Sequence, residues 1–162
     1  MTPITWTTLT LLALGVELDV PDGWFCKPLD ARTVIVYESE QDPYAATFEI
    51  QLAEPDTADP NWFENFVAGV PSELARVEGY QPLGSSRFQL ASLGGVPVYA
   101  ITGRRPEPGD GAVTTRMLAW AWVSPQRVQA FSGASVVRDE ARNLAIFDRV
   151  LRSLRLFEPR TD

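Results

Sequence analysis

The segment Ala112-Val113-Thr114-Thr115-Arg116-Met117-Leu118-Ala119-Trp120-Ala121-Trp122-Val123 reads as one long strand that is apolar on both sides. Successive side chains of a strand point to opposite faces. One side therefore carries Arg116, Leu118, Trp120 and Trp122, and the other Val113, Met117, Ala119, Ala121 and Val123. Such a strand is either covered on both faces, as in a sheet with helices packed over each side, or covered on one and used for binding on the other. Aromatic stripes more often belong to a core. The functional alternative is a groove for an apolar ligand or protein segment, lined by Trp120, Trp122 and Leu118 with Arg116 at its edge.

Around this strand, others are expected at Leu83 to Leu90, Val96 to Arg104 and Arg127 to Ser135. Gly94-Gly95 and Ser124-Pro125-Gln126 are turns suited to antiparallel hairpins, and Arg105 to Gly111 is a Pro- and Gly-rich loop. Further upstream, Val16, Leu18 and Val20 alternate with Glu17 and Asp19 before the turn Pro21-Asp22-Gly23, and Trp6 to Leu12 is a further strand candidate. Arg32 to Glu38 and Ala46 to Leu52 form the next pair, a hairpin across Ser39 to Tyr44.

Two helices complete the pattern. In the first, Asn61 to Val77, the residues Trp62, Phe63, Phe66, Val67, Val70, Leu74 and Val77 recur at helical spacing, with Asp59 as N-cap and Pro60 at the first turn. Pro71 is expected to bend or interrupt it near Gly69-Val70. Trp62 and Phe63 are adjacent and cannot share one narrow stripe, so one is expected at a rim. The second helix starts at Asp139 and buries Leu144, Phe147, Val150, Leu151 and Leu154, leaving Arg142, Arg149 and Arg152 to solvent. A short strand, Leu154 to Phe157, closes the chain. With no repeat and no linker, residues 1–162 form a single α/β (α+β) domain, an antiparallel sheet flanked by helices.

Composition narrows the function. The 162 residues carry a net charge of −7, which argues against nucleic acid as partner. The charge is uneven: residues 1 to 80 hold −11 and residues 81 to 162 hold +4, a split that averages out if the two halves interleave in space. There is no histidine, which removes the usual imidazole base, the histidine triads and the commonest transition-metal ligand. Cys26 is the single cysteine, expected as a small core or subsurface residue.

The acidic groups Glu38, Glu40, Asp42 and Glu54, Asp56, Asp59 lack the glycine and distal glutamate of a calcium loop, and read as solvated charge. Gly109-Asp110-Gly111 is a turn without a phosphate-cradling helix. No metal, cofactor or catalytic set is expected. No Lys or Arg precedes the apolar stretch Leu9 to Val16, and no cleavage pattern or lipobox cysteine follows it, so the expected location is cytoplasmic, with no transmembrane segment.

The run Val16-Glu17-Leu18-Asp19-Val20-Pro21-Asp22-Gly23-Trp24 and the ending Phe147-Asp148-Arg149-Val150-Leu151-Arg152-Ser153-Leu154 resemble the PsbP/DcrB-like superfamily. Between them, Leu93-Gly94-Gly95-Val96-Pro97-Val98-Tyr99 looks like its short-turn hairpin. The resemblance spans nearly the whole chain and implies an α-β-α sandwich. Members are mostly non-enzymatic binding or assembly proteins, among them photosystem accessory subunits, LpqN-like lipoproteins, a nuclear-transport factor that binds a small GTPase, and the Eag chaperones of secretion effectors. It implies a protein or apolar ligand as partner; an Eag-like role would use the sheet face carrying Trp120 and Trp122 to shield apolar helices. The rivals are a small carboxylate- or Tyr-dependent enzyme and a purely structural subunit, including a homo-oligomer.

Overall fold

Three layers arise from two faces of one large sheet. The computed structural model describes residues 3–55, 57–109 and 111–160. The chain opens with the hairpin β1 (Trp6–Leu11) and β2 (Val16–Pro21), joined through a single helical turn, Leu12–Leu14. Gly15 closes that turn at φ 68, and an added Cβ there would collide with the Phe157 carbonyl, so the position requires glycine on both counts. Next come β3 (Phe25–Pro28), β4 (Thr33–Tyr37) and β5 (Thr47–Ala53), an antiparallel meander. Helix α1 (Trp62–Ala75) leads to a second meander, β6 (Gln81–Leu90), β7 (Val96–Pro106), β8 (Val113–Ser124) and β9 (Arg127–Val136). Helix α2 (Glu140–Arg152) and the two-residue β10 (Arg155–Leu156) end it.

The two meanders join where β5 pairs antiparallel with β9, giving a seven-stranded sheet of order β3-β4-β5-β9-β8-β7-β6. A separate three-stranded sheet, β1-β2-β10, packs with α2 on one face of it. There Val16, Leu18 and Val20 of β2 and Ile146, Phe147, Val150 and Leu151 of α2 meet Phe48, Ile50, Met117, Ala119, Ala121 and Phe131, all nearly solvent-free. α1 packs on the other face. Glu38–Arg142, Arg155–Glu17 and Arg87–Glu64 are ion pairs between the acidic first half and the basic second half, so the charge split does interleave in space.

Several local expectations change. β3 was not anticipated; it is a short, exposed edge strand with no apolar alternation, and Cys26 on it is exposed instead of buried. α1 begins two residues later than its cap signals suggest: Asp59 accepts a bond from the Asn61 amide at 2.9 Å as a turn before the helix, and Asn61 is the cap. Pro71 does not interrupt it. Pro71 is exposed, so its ring projects away from the sheet. In α2 the polar Asn143 joins the buried stripe, donating to the Ser135 hydroxyl at 2.8 Å. The group Glu54, Asp56, Asp59 and the turn Gly109-Asp110-Gly111 each include a residue outside those described.

Candidate functional site

Strand register aligns the side chains of the α1-facing sheet surface in three rows. One runs Tyr99, Trp120, Ala130, Gln51; the next Ile101, Leu118, Ser132, Glu49, Ile35, Lys27; the third Gly103, Arg116, Ala134, Thr47, Tyr37, Phe25. The four predicted residues Arg116, Leu118, Trp120 and Trp122 lie on this surface, all half-buried.

α1 covers only the β7–β8 side of these rows. Its Phe63, Val67 and Val70 are buried against Tyr99 and Ile101, with Leu118, Trp120 and Trp122 packed around them. Trp62 stacks on Phe66 (5.1 Å between centroids) and on Trp122 (5.5 Å), Phe63 stacks on Trp122 (5.8 Å), and Phe66 meets Trp120 edge-on (5.1 Å). One of the adjacent pair does sit at the rim: Phe63 is inside and Trp62 half-buried. The Trp-bearing face is thus mainly a second small core, and its aromatics contribute to holding α1. The rings of Trp62, Phe66, Trp120 and Trp122 keep one flank partly open to solvent.

Beyond that flank no described helix or strand packs on this face of the sheet. Ala130, Ser132 and Ala134 of β9 are small and half-buried, so the surface drops beside the taller β8 residues. Thr47 and Glu49 continue the floor, and Ile35, Tyr37 and Phe25 rise on the far side, Phe25 stacked on Tyr37 at 5.5 Å and 45% exposed. Neither apolar cluster of the protein includes Ile35 or Tyr37. Side-chain size along these rows thus sets an aromatic wall beside a floor of Ala, Ser and Thr crossed by Glu49, with an apolar far bank, which together make a shallow trough. The trough was missed in the sequence because alanine and serine carry no signal of their own.

Charge closes one end. Arg116 donates two bonds to Glu107 Oε1, at 3.1 and 3.0 Å, with Arg105 3.8 Å away. Burial raises the Glu107 pKa, but the bonds and charge of Arg116, with a hydrogen bond from Thr114 and the charge of Arg105, together outweigh it and leave the carboxyl below its ordinary value. Arg116 is therefore a fixed end-post of the trough.

Elsewhere, carboxylates are held by neighbours: Glu38 by Arg142, Glu40 by the Tyr37 hydroxyl, Asp42 by the Tyr44 amide and Glu54 by Arg32. Glu140 is held by Arg104 and Thr115, which bring its pKa down to about 2. Among the described residues, no group of His, Cys, Asp and Glu is arranged to hold a metal ion, and no helix is long and apolar enough to cross a membrane.

The sequence matches no protein-family model and no curated protein. Solved structures of similar fold do exist. LpqN of Mycobacterium tuberculosis, described as involved in cell envelope biogenesis, is 19% identical with a TM-score of 0.68 over 97% of this chain and 93% of its own. The Saccharomyces cerevisiae Ran-binding protein Mog1p is 11% identical with a TM-score of 0.63, over 95% of this chain and 96% of its own. Cyanobacterial PsbP of Synechocystis is 12% identical with a TM-score of 0.59, over 96% and 95%.

Proposed function

We infer, from a chain that has the PsbP/DcrB-like fold and in which no described helix packs on half of one sheet face, that the protein is a non-catalytic binding domain of adaptor or chaperone type. It holds a protein segment or apolar ligand in the trough beside α1, against Trp120, Trp122, Trp62 and Phe66, with Leu118 and Arg116 along the same wall. The observation that carries this reading is the half-buried aromatic wall next to a small-residue floor: half-exposed rings are where a partner gains most contact for least reordering. The similar fold of a Ran-binding protein supports a protein partner. The absence of histidine and the engagement of Glu107 and Glu140 by arginines support a role other than acid–base catalysis.

The test is a photo-crosslinking side chain placed at Ser132 on the floor, compared with one at Thr8 on exposed β1. A partner captured from native extract through position 132 and not through position 8 supports the trough as the site. The same products from both positions, or none, would remove the reading. Crosslinks between two copies through position 132 would replace it with a homo-oligomeric subunit.

A further inference from the structure

Glu49 is the sole carboxylate in the seven-stranded sheet. It stands in the middle of the trough, between Ser132 and Ile35, half-buried. Among the described residues its carboxylate makes no hydrogen bond or ion pair, whereas those of Glu38, Glu64, Glu107 and Glu140 are each held by an arginine. Lys27 lies on its row, but two strands away beyond Ile35, or roughly 10 Å at the usual strand spacing.

Three physical constraints fix what can lie there. A purely apolar occupant would strip water from Glu49 and return nothing, which is strongly unfavourable for a charged group. A Lys or Arg on the occupant replaces that hydration most completely, with a charge-assisted hydrogen bond, and the protein's net charge of −7 favours its approach. β4, β5 and β9 are paired along both edges, so a segment lying on the face finds no backbone partners and must satisfy its own hydrogen bonds, as a helix does. Finally, β8 to β3 spans roughly 19 Å at the usual strand spacing, room for one helix of about 10 Å diameter alongside α1.

We propose that the trough takes an amphipathic helix of a partner protein that carries one Lys or Arg among its apolar residues, and that Glu49 pairs with that residue. This rests on the trough being the binding face. It goes further by excluding uncharged apolar ligands and by giving the partner a sequence pattern: a single basic residue interrupting an apolar stripe of i, i+3, i+4 spacing.

A display library of helical peptides with randomised apolar-face positions tests it, using the full chain as bait. Wild-type selection is expected to enrich one Lys or Arg on the apolar face. Glu49→Gln, close to isosteric, is expected to weaken the enriched peptides by about tenfold or more, with its thermal midpoint unchanged. Ser132→Arg and Ala134→Arg are expected to abolish their binding by filling the floor, each checked for a native melting transition. If the floor variants abolish binding while Glu49→Gln has no effect, or the enriched helices lack a basic residue, the charge pairing is wrong and the binding face stands. If the floor variants leave binding intact, if the binders are extended peptides that protect the edge strand β6, or if no peptide is enriched, both proposals fall.

Discussion

Phe147 of α2 lies directly over Gly133 of β9: a Cβ built on Gly133 would stand 2.6 Å from the ring edge, well inside contact distance. The ring is fully buried and also meets Phe48 at 5.7 Å, so it has nowhere to retreat. Gly133→Ala is expected to cost about 2–3 kcal/mol as overpacking. Urea denaturation of Gly133→Ala, Phe147→Leu and the double variant measures it. The double variant should be more stable than the sum of the single losses implies, because the smaller side chain makes room for the new methyl. Strict additivity would show that the Phe147 ring does not press on Gly133.

Glu140 and Arg104 give a pH dependence with a definite sign. Glu140, in the first turn of α2, accepts from Arg104 Nε at 2.9 Å and from the Thr115 hydroxyl. Hydrogen bonds from Arg104 and Thr115, with the charge of Arg104, take its pKa from 4.5 down to about 2 against the opposing effect of burial. A depressed carboxylate pKa contributes stability that is fully present above the unfolded value and lost as pH falls through the folded one. Glu140→Gln should therefore destabilise by on the order of 1–3 kcal/mol at neutral pH, reduced by partial exposure of the pair. The gap between wild type and variant should close between about pH 4.5 and pH 2. A gap that persists below pH 2 would mean the side chain acts through packing.

Arg127 ties the two ends of the chain to the large sheet. Its guanidinium donates to the carbonyls of Leu14 (2.9 Å), Gly15 (3.0 Å) and Phe157 (2.8 Å), and to Gln129 (3.2 Å). Arg127→Ala would leave these acceptors without their donor in a buried setting, at a cost of about 3 kcal/mol or more. Lysine should rescue little, since one ammonium cannot reproduce the planar fork. Hydrogen exchange is the informative readout. Protection should fall first at the amides of Phe157 and Arg160, which bond back to Gly15 and Leu12.

Pro71 offers a gain. It sits inside α1 on the exposed side, where a proline removes one helical hydrogen bond. Pro71→Ala is expected to raise stability by about 1–2 kcal/mol in thermal melts, without altering any contact to the sheet. A loss would mean that a bend at Pro71 is needed to seat Phe63 and Leu74 on the sheet together.

Periodicity made most of the fold legible. The strand beginning at Ala112, the hairpin partners on either side of it and both helices lie within a few residues of where local patterning puts them. β3 was illegible because an exposed edge strand has no buried face to impose alternation on Phe25, Cys26, Lys27 and Pro28. Arg127 looked like any strand-opening arginine, because the carbonyls it serves are 113, 112 and 30 residues away. For the site, the Trp120 and Trp122 stripe was visible and so was its competing structural role. Which half of that face α1 would cover depends on tertiary packing, and so does the isolation of Glu49, which in sequence is one polar position of an ordinary alternating strand.

The pairing of β5 with β9 is the seam between two meanders, formed by residues 47–53 and 128–134 across a long stretch of chain. Each meander can zip through local hairpins, but this seam closes a large loop and forms only when β9 has met β5. The trough floor, made of Thr47 and Glu49 from one side and Ala130, Ser132 and Ala134 from the other, lies on that seam. A helix seated there would act as a splint across the joint, so that occupancy and the integrity of the sheet reinforce each other: the partner would select chains whose halves have met, and hold them together.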